Sequence, residues 1–399
     1  MVTNGLVGLG EARAARGEAL GPSDIACVMN MVDIAAGLPM LPRLFSDPTA
    51  APPLLPRLSI DPAKISIMGF SSGAGFATSQ CVAFSSVYSG CGFFAAEPYH
   101  CDVRYWPGDE LMPGINPACP LCDGCPTNTT LKTCSCNWPK GSPKEDKLDV
   151  GVLIRHAEAV AAQGKIDDVK HLKGSRIFIH QGLHDQYNFP VSTSNTSGPA
   201  NSKRFFDAFG ADVQIKITNS SHAWPLDGFG TPCGKAASFL ESCGDDAPGA
   251  MLQHAHHGGL SPPVPRGEYV NTSLTQFSQV PFYSEDNLGT HGAGLATFGY
   301  VYVPSRCRGA NAMCALHLSL HGCSEKYYYD YAVVHLGLLE WGEANGIVIL
   351  FPQITPHGTT GEEKIGCFDT YGQKGPDYDQ KSGTQMTAVR SMVAAVAGV

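Results

Sequence analysis

Apolar residues fall along this chain in two periods. Short runs rich in β-branched and aromatic residues read as buried strands: KISIMGF (64–70), CGFFAAEPY (91–99), RIFIHQG (176–182) and VQIKITN (213–219). Three more lie in the C-terminal part: FGYVYVP (298–304), CALHLSL (314–320) and GIVILFPQ (346–353). Between them come stretches with helical spacing: SGAGFATSQCVAF (72–84), VGVLIRHAEAVAAQG (150–164), SKRFFDAFG (202–210), AVVHLGLLEWGEAN (332–345) and the terminal GTQMTAVRSMVAAVAGV. Buried strands alternating with helices predict an α/β fold, a mostly parallel sheet with helices on both faces. Three segments lack periodicity. Residues 1–60 are Pro-rich and read as a loosely structured lead-in; 101–150 form a Cys/Pro/Asn-rich insertion; 225–290 are rich in Gly, His and Ser and read as irregular. No internal repeat or accessory module is visible, so residues 61–399 read as one catalytic-size domain.

Composition narrows the class. Hydrophobic residues make up 43% and charged residues 16%, which excludes a charge-driven disordered chain. The net charge of −9, with no Lys/Arg run, argues against a nucleic-acid partner. No apolar stretch approaches the roughly 18 residues that would suggest a membrane span, and a monomer is expected. Fifteen cysteines change the picture further, because so many thiols suit disulfides in an oxidising compartment. Sequons at Asn128, Asn195, Asn219 and Asn271 agree with a secreted glycoprotein. Residues 1–21 contain no continuous apolar run, so no signal peptide is recognisable there.

The sharpest chemical signal is Gly69-Phe70-Ser71-Ser72-Gly73, a G-x-S-x-G sequence between a strand and a helix. A very tight turn there pushes one hydroxyl above the sheet, and the glycines let backbones approach. Ser71, centred between them, is the candidate nucleophile. It needs a base, and the base an orienting acid. RIFIHQ runs into GLHDQYNFP, placing Asp185 just past a strand, and VQIKITN runs into SSHAWP, placing His222 likewise. Other candidates are weaker. Asp102 and Asp369 neighbour cysteines and suit structural roles, His180 lies within a strand, and His184 comes too early for the base. His254, His256 and His257 read as a solvated loop and not as a metal site. The Ser72 backbone N–H supplies one oxyanion donor. The second calls for an HG-type loop. His321-Gly322-Cys323 offers one, but 250 residues downstream of Ser71.

Moving residues from about 295 to 399 ahead of residue 60 restores the element order of an α/β-hydrolase. The fold expected is therefore a circularly permuted α/β-hydrolase with its termini close in space, an arrangement folded domains tolerate at exposed sites. LHGC, ILFPQ, GCFD and DYDQKSGTQMTAV, together with GFSSG, FFAAEPYHC and SHAWP, resemble the extracellular poly(3-hydroxybutyrate) depolymerases, and most of all the fungal, single-domain, circularly permuted ones. The resemblance implies Ser71, Asp185 and His222 as triad. It also implies Ser72 and Cys323 N–H groups as oxyanion hole, and a short polyester stretch bound in an aromatic-lined crevice. Phe368 and Thr370 stand where the family tends to carry tryptophans. Phe368 and Trp224 are the substrate-binding candidates.

Cys307 and Cys314 flank a short turn and suit a disulfide, and Cys233 and Cys243 bracket a short loop. Cys323 and Cys367 suit a bridge beside the oxyanion loop, as the resemblance also implies. Cys101, Cys119, Cys122, Cys125, Cys134 and Cys136 group in the insertion, where disulfides are favoured over zinc. Cys81 and Cys91 read as core thiols, and Cys27 is unassigned. The chemistry expected is that of a secreted serine esterase acting on a polyester or small ester without metal or organic cofactor. A feruloyl-, acetyl- or cutinase-like esterase, and a non-catalytic disulfide-rich binding protein, are the alternatives.

Overall fold

A computed structural model describes residues 52–101, 103–104, 131–132, 149–185, 198–236, 238–283, 293–309, 312–323, 329–356, 366–370 and 372–399. These belong to a compact unit formed by residues 51–399, which includes residues 52–60 of the expected lead-in; residues 1–50 form a separate unit and lie outside the described residues. β1 (Ile60–Phe70) passes through Ser71 into α1 (Ser72–Ala83), and β2 (Gly90–Phe94) follows. α2 (Val150–Ala162), β3 (Arg176–Gly182), α3 (Gly198–Ala208) and β4 (Asp212–Thr218) come next. Three short strands, β5 (Trp224–Leu226), β6 (Thr231–Pro232) and β7 (Leu240–Ser242), form a small parallel sheet. After α4 (Ala247–Ala255) the chain continues through β8 (Leu274–Ser278), β9 (Phe298–Tyr302), β10 (Cys314–Leu320), α5 (Tyr329–His335), α6 (Leu338–Asn345), β11 (Ile347–Phe351) and α7 (Thr384–Ala397).

The main sheet has eight strands in the order β8-β9-β11-β10-β1-β2-β3-β4. β9 runs antiparallel to both its neighbours, and every other pairing is parallel. The central strands are buried on both faces, which is why they read as nearly continuous apolar runs. Ile65, Ile67, Cys91, Phe93, Ile177 and Ile179 join Phe76 of α1, Phe205 of α3 and Val389 of α7 in one core cluster. On the opposite face α4 sits very close, because β2 presents glycines there. A Cβ added at Gly92 would lie 2.5 Å from the Met251 side chain, and one at Gly90 2.5 Å from Ala255 Cβ. The beginning and end of this unit adjoin: the Leu58 N–H donates to the Val396 carbonyl at 2.9 Å.

Several expectations need correction. Residues 225–290 are not wholly irregular, since they contain α4 and the edge strand β8. The helix expected over 332–345 breaks in two at Gly337, whose φ of 80° only glycine adopts without strain. Cys81 and Cys91 are not core thiols. They form a disulfide, because α1 packs across β2 and brings their Cα atoms to 6.3 Å. Cys233–Cys243, Cys307–Cys314 and Cys323–Cys367 also pair. Cys101 is disulfide-bonded, whereas the other five insertion cysteines and Cys27 lie outside the described residues. So do Asn128 and Asn195; Asn219 and Asn271 are exposed. Among the described residues no helix is long and apolar enough to cross a membrane.

Candidate active site

The turn at Ser71 has φ 54° and ψ −123°, a backbone state that costs energy for any residue with a Cβ. The surroundings enforce it. The Ser71 N–H donates to the Phe94 carbonyl at 2.9 Å, and the Ser71 carbonyl accepts the N–H groups of Ala74 and Gly75. Both flanking glycines are required by contact. A Cβ at Gly69 would lie 2.1 Å from the Gly73 carbonyl oxygen, and one at Gly73 2.3 Å from that of His321. The second clash joins the Ser71 turn to the 321–323 segment. Gly73→Ala is therefore expected to force α1 and the 321–323 segment apart, costing about 2–3 kcal/mol of stability. Hydrolysis should fall further than the folded fraction does. Urea denaturation and turnover of p-nitrophenyl butyrate measure the two effects separately.

Asp185 and His222 reach Ser71 from the ends of neighbouring parallel strands, β3 and β4. His222 Nε2 lies 2.9 Å from Ser71 Oγ, and His222 Nδ1 lies 2.8 Å from Asp185 Oδ2. The Asp185 side chain is fully buried. The two loops press together so closely at Gly182 that an added Cβ would lie 2.4 Å from the Ser220 carbonyl oxygen. They are also stitched by backbone bonds, Leu183 N–H to Thr218 O at 2.8 Å and His184 N–H to Ser220 O at 3.0 Å. Asp185 and His222 thus share one rigid corner. The His222 ring rests on Phe70, the residue before the nucleophile, with centroids 4.7 Å apart.

The 321–323 segment follows β10, which pairs with β1 in parallel register, so both turns leave the same edge of the sheet. Gly322 borders the nucleophile, since a Cβ there would lie 3.2 Å from Ser71 Cβ. Ser72 is the first residue of α1, and its N–H has no acceptor within the helix. The Cys323–Cys367 disulfide ties the loop to residues 366–370. His321, read from the sequence only as part of the HGC motif, fixes the loop from inside. Its Nε2 accepts the Ile354 N–H at 3.0 Å, which places the proton on Nδ1, 2.7 Å from the Gly322 carbonyl. Burial pushes its pKa down to about 4, against the opposing effect of the Gly322 bond, so the ring stays neutral.

The two substrate-contact candidates, Trp224 and Phe368, are buried. Trp224 is completely buried, packed 5.3 Å from Phe70 and 4.7 Å from Phe94 beneath the base. Phe368 is also completely buried, stacked on Phe76 of α1 at 5.2 Å. Trp224 lines a small cavity with Ser319, His321 and Phe351, and Phe368 packs against the His321 ring at 5.0 Å. Asp369 accepts the N–H groups of Gly372, Gln373 and Lys374, a structural role. His180 is buried in β3, bonded to Thr218 Oγ1 at 2.9 Å. The HAHHGG stretch is not a solvated loop at its start: His254 lies in the last turn of α4, with Nε2 bonded to the Asp212 carbonyl.

A further cluster, His100, His156 and Asp379, was not picked out from the sequence. His100 Nδ1 lies 2.5 Å from Asp379 Oδ2, and His156 Nε2 lies 3.7 Å from the same oxygen. The two imidazoles stack at 3.4 Å with planes 9° apart. Lone pairs lie in the ring planes, so parallel rings cannot both aim at one ion; the arrangement suits proton sharing better than metal binding. Burial raises the Asp379 pKa, but the His100 charge and the hydrogen bonds from both histidines outweigh it and hold the carboxyl well below its ordinary range.

No protein-family model matches this chain. It is similar in sequence to known proteins. A poly(3-hydroxybutyrate) depolymerase of Delftia acidovorans is 28% identical over 338 residues, covering 82% of this chain and 58% of the relative. A polyhydroxybutyrate depolymerase of Talaromyces funiculosus is 26% identical over 344 residues, covering 82% and 88% respectively. The chain thus spans little more than half the length of the Delftia protein. Two solved structures share the fold with a TM-score of 0.65 at 24% identity, covering 86% of this chain and 99% of theirs. They are a PHB depolymerase from Penicillium funiculosum and a PHB depolymerase serine-to-alanine variant complexed with an R3HB trimer.

Proposed function

Taking the chain as a relative of the polyhydroxybutyrate depolymerases in sequence and fold, we propose that it is a serine ester hydrolase acting on a short-chain aliphatic polyester. The observation that carries this reading is the unbroken hydrogen-bonded line from Ser71 through His222 to Asp185 at a strained strand-to-helix turn. In this reading His222 Nε2 takes the Ser71 proton as Oγ attacks an ester carbonyl, and Asp185 holds the imidazole in the Nδ1–H form and stabilises the imidazolium. The Ser72 and Cys323 N–H groups receive the developing oxyanion, each contributing about 3 kcal/mol in the transition state. His222 then protonates the departing alkoxide, leaving an acyl-enzyme on Ser71. Water, deprotonated by the same base, releases the acid.

The chain order fits a circular permutation. Begun at β8 and closed from α7 to residue 52, the sheet runs 1-2-4-3-5-6-7-8, with Ser71 after the fifth strand, Asp185 after the seventh and His222 after the eighth. The Leu58–Val396 backbone bond is where such a joint would lie. The start at β8 moves the proposed cut ahead of residue 274, earlier than the 295 expected. The disulfides support secretion into an oxidising compartment.

The test is to incubate purified protein with amorphous polyhydroxybutyrate and identify soluble products, with Ser71→Ala as control. Hydroxybutyrate or its oligomers are expected from the wild type alone. Turnover of small acetyl, feruloyl or p-nitrophenyl esters without polymer release would move the substrate to the alternative class and keep the chemistry.

A further inference from the structure

Glu241, on β7, is a fully buried carboxylate. Its Oε2 accepts the Ser221 N–H at 2.9 Å and the Gly234 N–H at 2.8 Å. Its Oε1 accepts the Ser221 hydroxyl and, at 3.1 Å, the Ala236 N–H. All four donors are neutral. Each oxygen takes two of them, so one side chain satisfies all four donors. Two of the four bonds go to Ser221, the residue immediately before His222. The others bind residues 234 and 236, in the loop that the Cys233–Cys243 disulfide closes around Glu241.

We propose that Glu241 is a positioning residue for His222, fixing the base through the backbone of Ser221. The His222 loop is then pinned from two sides. On one side the His184 N–H donates to the Ser220 carbonyl and links it to the Asp185 loop. On the other, Glu241 sets the path of Ser221 and hence the direction of the His222 side chain. A carboxylate suits this place and an amide does not. In Glu241→Gln the NH2 group faces two backbone N–H donors in one orientation, and in the other the Ala236 N–H beside a Ser221 hydroxyl that must turn to accept, although size and shape are unchanged. The clash is relieved only by moving Ser221 or the 234–236 loop, and small displacements of a base are costly to rate.

This inference rests on the ester-hydrolase reading above, and the test separates the two. Wild type, Glu241→Gln and Ser221→Ala are compared by kcat and KM for p-nitrophenyl butyrate and by the far-downfield proton resonance of the His222 Nδ1–H. Glu241→Gln is expected to lower kcat about 10- to 100-fold with KM within about threefold, and to shift or broaden the resonance. Ser221→Ala, which removes one donor, is expected to lower kcat about threefold to tenfold at unchanged KM. Folded variants with wild-type kcat and an unmoved resonance overturn the proposal. If Glu241→Gln does not fold, Ser221→Ala decides by the same criteria. If the wild type hydrolyses no ester, the esterase reading falls, and the resonance in the variants still decides whether Glu241 positions His222.

Discussion

Ser71→Ala is expected to lower kcat for ester hydrolysis by about 10⁶-fold while leaving the fold intact. In the proposed mechanism Ser71 is the one group whose removal takes away the covalent route, and His222 is left with no serine hydroxyl to activate. The substitution keeps the Cβ that the strained turn already accommodates, so the φ 54° backbone is unaffected. It removes one side-chain bond, to His222 Nε2 at 2.9 Å, on a half-buried side chain. Loss of stability should therefore be about 1 kcal/mol or less. Steady-state turnover of p-nitrophenyl butyrate and a thermal melt measure the two effects. A catalytic loss of only a few fold would mean that another group does the chemistry.

The second large effect is acid sensitivity of the fold. His180, His317 and His321 are fully buried, and burial lowers their pKa values to about 3, 3 and 4 from an ordinary 6.5. Each is neutral in the folded chain and titrates freely in the unfolded one. A depressed folded pKa contributes stability that is present above the unfolded value and lost as pH falls toward the folded one. The window is therefore from about pH 6.5 downward, and by pH 5 each histidine costs about 2 kcal/mol, about 6 kcal/mol for the three. That is comparable to the whole stability of a typical domain, about 5–15 kcal/mol. Asp379 acts at lower pH, since its carboxyl is already depressed and its linkage begins only below the ordinary carboxylate range. Urea midpoints should fall steeply between pH 7 and pH 5. His317→Asn, which removes one titrating ring from a site bonded only to Ser66 Oγ, should flatten the slope. A midpoint independent of pH across that range would contradict this account.

The candidate site was legible because each of its residues follows a strand that announces itself. Ser71, Asp185 and His222 come directly after runs of Ile, Phe and Val, and a parallel sheet places such loops along one edge. HGC was legible for the same reason. What stayed hidden depends on tertiary contact. In β8 only Leu274 and Phe277 are buried, three residues apart, so the edge strand shows no alternation. Cys81 and Cys91 meet because a helix crosses a strand, a distance that no spacing encodes. Trp224 and Phe368 lie beside the catalytic loops in sequence and beneath them in space. Glu241 left no trace at all, since its donors are mainly backbone amides from two loops, at Ser221 and at residues 234 and 236.

The central claim, that Ser71 is the nucleophile of a polyester hydrolase, is tested most directly by covalent trapping. Protein treated with a fluorophosphonate is digested and mapped by mass spectrometry while release of hydroxybutyrate from amorphous polymer is followed on the same sample. The account predicts one adduct per chain, on Ser71, with polymer hydrolysis lost in proportion to labelling. An adduct on another residue, or hydrolysis that persists in fully Ser71-labelled protein, would contradict it.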